Sequence, residues 1–270
     1  MSNTSTFPAR LAHFRKRRGI SQLQLAMAAA CSQRHVSFLE LGRAKPSRDM
    51  VLRLSAALDA TLRQSNELLV AAGYAAVWAE SDLDAQALAP VRDALDYILA
   101  QQEPFPGVVV DRRWHLIQAN KGAVALVEFL TGPVKPGTAI NLADALAAPD
   151  VLRPHLVNWA DVVRYFVRSV EADAAADGTT ETAALLDRLL SYKDVRTTIA
   201  QAPAQIAGAP ILPMHFRKGR TTLKLFTTIA TLGTPQDITL QELRIESFFP
   251  MDDETSATFR KWAAPDKKTR

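Results

Sequence analysis

Gln33, Arg34, Ser37 and Phe38 lie on one side of a short stretch in which Val36 and Leu39, three residues apart, take the other side. Two of the four carry paired hydrogen-bonding groups. An arginine fork matches the O6 and N7 acceptors of guanine, and a glutamine amide matches the N6 and N7 edge of adenine. Phe38 has two readings of equal standing: contact with a thymine methyl, or packing on its own helix. Gln22, placed at the start of the preceding helical run, is suited to donate to a phosphate where the helix terminus is electropositive. The chemistry implied is recognition of double-stranded DNA, with no bond made or broken.

Other residue types do not assemble into a reactive centre. The five histidines (His13, His35, His115, His155 and His215) are scattered, without metal-ligand spacing. His35 either touches DNA or is a solvated first-turn residue. There is no GxSxG, no phosphate-binding loop and no dinucleotide fingerprint, so no enzyme is expected and no cofactor is implied. Asp252, Asp253 and Glu254 read as a helix N-terminus, where negative charge is favourable. Glu242 and Glu246 are expected on a strand, on the face that alternation gives to solvent. Cys31 is the single cysteine, which excludes an internal disulfide and suits a reducing cytoplasm. A small buried hydrophobe is its expected role, against the alternative of a redox sensor.

The elements that must hold these side chains follow from caps and spacing. Ser21 caps a segment containing Leu23, Leu25 and Ala26, and Ser32 caps the segment with Val36 and Leu39. Gly42 suits the position after a helix, and Pro46 cannot continue one. Two short helices joined by a tight turn make a helix-turn-helix. Leu11 and Phe14, with Ile20 beyond, mark a first helix to about Arg18 after a loose tail over residues 1–8. Met50, Val51, Leu54 and Leu58 mark a fourth, and Leu62, Leu68 and Leu69, closed by Gly73, a fifth. The pattern predicts an all-α five-helix bundle.

Charge supports the nucleic-acid reading. Residues 1–75 hold 11 Lys or Arg against 4 Asp or Glu, while the remainder holds 21 against 24. A basic head on a mildly acidic body suits phosphate attraction, although a basic run alone equally solvates a helix face. Neither a signal peptide nor a run of about 20 apolar residues is visible, so a cytoplasmic protein with no membrane segment is expected.

The stretch resembles the Cro/repressor type of helix-turn-helix, through Ser21-Gln22, Leu25-Ala26, Ala30, Ser32, Leu39-Glu40, Gly42-Arg43 and Pro46-Ser47. The resemblance implies that Arg43 contacts phosphate and that Arg15 and Glu40 form a structural ion pair between the first and third helices. Ala30 departs from the pattern, which often has glycine; a turn with positive φ there would cost alanine on the order of 1 kcal/mol.

Beyond an acidic, weakly patterned linker over residues 76–90, the texture changes. Val91 to Leu99 reads as a helix, followed by strands around Val108 to Val110 and Trp114 to Ala119 that flank a turn at Asp111-Arg112-Arg113. Asn120 leads into a helix with Leu126 and Leu130, and residues 156–172 and Leu185 to Leu189 form two more. After Pro203 and Pro210 the expectation is strands at Met214 to Lys218, Thr221 to Leu232 and Leu240 to Phe249, with a closing helix from Thr255 to Trp262. Two strands, helices and three strands give an α+β domain over 91–265 with an antiparallel five-stranded sheet.

Leu223, Leu225 and Ile229 share one side of their strand, and Trp159, Val163, Phe166 and Val170 one side of their helix. These faces either close on each other as a core or enclose an apolar cavity. The order of elements resembles the PAS-like ligand-binding domain of the MmyB-like transcription regulators. That resemblance is carried by Asp111-Arg112-Arg113-Trp114, Ala119-Asn120, Gly233-Thr234-Pro235 with Asp237, and the run from Glu242 to Pro250 with Asp252. It implies a DNA-binding regulator whose second domain holds a fatty-acid-like molecule, with Trp159, Val163, Phe166, Leu223, Leu225 and Ile229 as candidate contacts. Arg164, Arg168 and His215 are unranked partners for an acidic head group. A homodimer on an operator is expected, because one short helix reads too few bases.

Overall fold

A computed structural model of the chain describes residues 6–135, 137–177, 179–201 and 211–264. Most of the expected loose tail, Pro203, Pro210 and the expected domain end at 265 lie outside these residues. Two compact units are present. One comprises residues to Asp82 with the short segments Ala175–Asp177 and Gly233–Gln241; the other holds the rest.

The first unit begins with α1 (Phe7–Arg17), α2 (Gln22–Ala28), α3 (Gln33–Glu40), α4 (Arg48–Ala57) and α5 (Leu62–Ala71). Side-chain caps start four of them. Ser21 and Thr61 form capping boxes with Gln24 and Gln64, while Ser32 and Ser47 accept from the backbone N–H groups of His35 and Met50. Each such cap is worth about 1 kcal/mol, which matters for helices of seven to ten residues. Gly42 ends α3 with φ +68°, a conformation that a side chain resists. Leu11, Leu25, Val36, Leu39, Val51, Leu54, Leu68 and Leu69 form a fully buried core. Beyond α5, Trp78 packs on this core, and the Asn66 side chain accepts from Val77 N–H and donates to the Trp78 carbonyl. Asp237 accepts from the Ser81 N–H, and the Leu62 N–H donates to Gln241 Oε1, so segment 233–241 is fastened within this unit.

The second unit opens with α6 (Ala89–Gln102) and β1 (Gly107–Val110), followed by β2 (Leu116–Ala119), α7 (Lys121–Thr131), α8 (Leu142–Ala147), α9 (Trp159–Asp177), α10 (Thr180–Ser191) and α11 (Val195–Ala200). The chain returns as β3 (Met214–Lys218) and β4 (Thr221–Ala230), and β5 (Arg244–Pro250) and α13 (Asp253–Ala263) complete the unit; α12 (Ile238–Glu242), between β4 and β5, falls almost wholly in the 233–241 segment of the first unit. The strands form one antiparallel sheet in the order β2-β1-β5-β4-β3. Its five strands are those expected, with two corrections. Leu240 to Glu242 are helical, because the Asp237 carboxylate accepts from the Thr239 N–H and starts a helical turn. Trp114 adopts φ +65° and belongs to the turn, so β2 starts two residues later. The helices α8 and α11 were not apparent from spacing, each being only six residues long.

Asn120 joins several elements. Its side-chain oxygen accepts from the N–H groups of Gly107 and Ala123, capping α7, and its amide donates to the carbonyls of Leu99 and Phe105. All the hydrogen-bonding capacity of a buried amide is thereby used. Gly122 beside it allows the close approach of the Pro104–Phe105 backbone, since a Cβ there would lie 2.4 Å from the Pro104 carbonyl oxygen.

Candidate DNA-binding surface and ligand cavity

Burial divides α3 as its spacing requires. Val36 and Leu39 are inaccessible, Gln33 and Arg34 are exposed, and Ser37 and Phe38 are half-buried. The Arg34 guanidinium lies over the Phe38 ring, 5.1 Å from its centroid, so the ring supports the arginine while remaining on the outer face. Arg43, Lys45 and Arg48 are all exposed just beyond α3. Ala30, between α2 and α3, has φ +50°, the left-handed conformation that the turn demands.

Arg15 and Glu40 form a bidentate pair, with Nε to Oε1 at 2.6 Å and Nη2 to Oε2 at 3.0 Å. The Gln22 amide nitrogen donates to Glu40 Oε2 at 2.7 Å, and Arg15 also donates to the Ile20 carbonyl. Burial alone would raise the Glu40 pKa, but the hydrogen bonds from Arg15 and Gln22 and the charge of Arg15 outweigh it and hold the carboxyl below its ordinary value. The network ties α1, α2 and α3 together and orients the Gln22 amide toward Glu40.

Burial also raises the Cys31 thiol pKa, against the lowering influence of Arg53, which makes the thiol less reactive. Among the described residues no cluster of His, Cys, Asp or Glu could hold a metal ion, and no helix is long and apolar enough to cross a membrane.

The second unit holds a cavity of about 430 Å³, partly open to solvent, between the sheet and α7, α8 and α9. Val108, Leu126, Leu146, Val162, Phe166 and Phe248 supply much of its apolar wall. Its lining includes one carboxyl, that of the buried Glu246, and the hydroxyl-bearing Thr227, Ser169 and largely exposed Tyr165. Glu246 sits mid-sheet, with Val108 of β1 and Ile229 of β4 opposite it on either side. Burial pushes its pKa up to about 7, against the lowering effect of the Thr227 hydrogen bond and the Arg244 charge. Trp114 also lines the cavity; its indole N–H is buried and meets no acceptor among the described residues.

Two family models match the chain: the MmyB-like transcription regulator ligand binding domain over residues 91–261, and a helix-turn-helix domain over residues 7–68. The chain belongs to the MmyB-like transcription regulators. A comparison with curated proteins finds no match. The two families are those of DNA-binding regulators and their ligand-binding domains, not of enzymes.

Within this MmyB-like regulator the expected ligand contacts fall in different places. Phe166 and Ile229 line the cavity. Val163, Leu223 and Leu225 are buried in the core around it, and Trp159 donates its indole N–H to the Leu146 carbonyl under the Arg153 guanidinium. Arg164 is buried against Asp161 and the Thr198 carbonyl, and Arg168 is exposed. His215 pairs across the ladder with Lys224, on the strand face opposite Met214 and Phe216. None of these three cations lines the cavity.

Glu246 and Trp114 were not apparent as cavity residues. Alternation along β5 places Glu246 with Phe248, and counting it as solvent-facing fails because both faces of this central strand are covered. Glu242 is not on the strand at all; it ends α12 and pairs with Arg112 at 3.3 Å. The available signal was a carboxylate in a run, Ile245 to Phe249, with no other charge and three large apolar residues.

Proposed function

We propose that this regulator binds a specific operator as a homodimer and that an apolar, fatty-acid-like molecule in its PAS-like domain modulates the binding. The cytoplasm is its working compartment, as DNA recognition requires. On α3 the reading assigns Gln33, Arg34, Ser37 and Phe38 to base edges, with Gln22 and Arg43 at the phosphates. The observation that carries the ligand half is the cavity, whose volume and apolar wall fit an alkyl chain while a few polar groups remain to orient it.

Modulation requires that the ligand bind DNA-competent and DNA-incompetent states differently. The chain offers a covalent route for this. β4 and β5, which contribute Thr227, Ile229, Glu246 and Phe248 to the cavity wall, are joined through Gly233–Gln241, a segment that folds as part of the helix-turn-helix unit.

Mass spectrometry of what a denatured preparation releases, followed by thermal shift with alkyl chains of graded length and operator binding with the best of them, tests the reading. Stabilisation and altered operator affinity are expected. No stabilisation at any chain length would leave the second domain as a dimerisation module.

A further inference from the structure

The polar groups of the cavity carry a specificity. Among its described lining residues there is no lysine, arginine or histidine. The nearest cation on the same face of β5 is Arg244, and it is committed: its guanidinium bonds Asp173 at 2.7 Å and lies 5.3 Å from the Trp114 ring centroid. What the lining offers is the buried Glu246 carboxyl with Thr227, Ser169 and Tyr165, and Trp114 adds a buried indole N–H that meets no acceptor among the described residues. A ligand carboxylate placed here would set two anions together at a buried site whose one nearby cation, Arg244, is already paired with Asp173, an arrangement that a shared proton makes tolerable.

Resting on the reading that this domain binds an alkyl chain, we infer that the head group seated in the cavity is non-anionic and donates a hydrogen bond to Glu246, as an alcohol, a primary amide or a protonated acid does. The Trp114 indole N–H, available as a donor, suits the oxygen of such a head group. Trp114 holds φ +65°, a costly conformation for a bulky side chain, and one that fixes the ring against Phe166, 4.3 Å away between centroids. A free fatty acid enters this site only with a proton shared between its carboxyl and Glu246. No bond is made, and the proton stays within the pair.

The groups that bear on the pH response are few. From α9 come Tyr165 at the cavity and Asp173, which is paired with Arg244; from β5 itself there is Arg244; the residues that α7, β1 and β4 place in the wall are uncharged. The Glu246 carboxyl is therefore the group expected to titrate within the cavity near neutrality.

The experiment uses the full-length protein and three probes of one length: decan-1-ol, decanamide and decanoate, titrated calorimetrically from pH 6 to 9. The alcohol and amide are expected to bind with nearly constant affinity. Decanoate is expected to weaken about tenfold for each pH unit above 7, because its complex keeps a proton that both free partners have lost. Glu246→Gln should flatten that dependence and narrow the gap between probes. Equal, pH-independent binding of decanoate and decanol would overturn the head-group assignment while leaving the alkyl-chain reading intact. Failure of all three probes, and of longer and shorter alcohols, would overturn that reading and the inference with it.

Discussion

Arg15 grips Glu40 through two hydrogen bonds while Gln22 supplies a third, so one carboxylate joins three helices around the recognition helix. The side chains are 12% and 7% exposed, which places the pair between a surface bridge worth about 0–1 kcal/mol and a buried one whose rupture costs about 3–5 kcal/mol. Glu40→Ala should destabilise the helix-turn-helix unit by about 2 kcal/mol, read from urea unfolding. Because the Glu40 pKa lies below its unfolded value, the pair's contribution is present above the unfolded pKa and fades as pH falls through the native one. The difference between wild type and variant should shrink in acid. An unchanged midpoint at neutral pH would show that the pair is not structural.

Arg34 and Arg43 should separate in their effects. Arg34→Ala removes a bidentate donor from the outer face of α3, so discrimination between operator and altered sites should fall by about 1–3 kcal/mol per half-site. Arg43→Ala should weaken all sequences alike and reduce the slope of affinity against salt. Gel-shift titrations over a range of salt concentrations distinguish the two. An Arg34 variant that loses affinity uniformly would move that residue to the phosphate backbone.

Ala30 sits at φ +50°, where a Cβ is unfavourable. Ala30→Gly should raise stability by about 1 kcal/mol, somewhat offset by the greater freedom of glycine in the unfolded chain. Gly122→Ala should act in the opposite sense. Its new Cβ would meet the Pro104 carbonyl oxygen at 2.4 Å, and pushing that backbone away should cost about 1–3 kcal/mol. Denaturant midpoints of the two variants check both signs.

The recognition half of the molecule was legible because short-range rules specify it. Caps at Ser21 and Ser32, a glycine at 42 and a three-residue apolar spacing are local, and the structure follows them. The α+β architecture was legible from the order of elements. The cavity's polar lining was not, because it depends on which strands become central. Alternation along β5 identifies which residues share a face with Glu246, but only the sheet order shows that α7, α8 and α9 cover that face. The same limit explains His215, which shares a strand with two cavity residues yet points the other way.

Glu246 makes a prediction about the protein without any ligand. Its native pKa is about 7, raised by burial from an ordinary carboxyl value near 4.5. A carboxyl with a raised native pKa is ionised more readily in the unfolded chain. Stability should therefore be greatest below the unfolded pKa, decline as pH rises between the two values, and level off above about pH 7. The total loss is on the order of a few kcal/mol. Glu246→Gln keeps the shape and the Thr227 hydroxyl neighbour without a charge to desolvate. It should flatten the decline and make the second unit more stable than wild type at pH 8, with little difference at pH 4. Unfolding followed by fluorescence of Trp114, Trp159 and Trp262, which all belong to this unit, supplies the measurement. Parallel pH curves for the two proteins would mean that water or a reoriented side chain already solvates the Glu246 carboxylate.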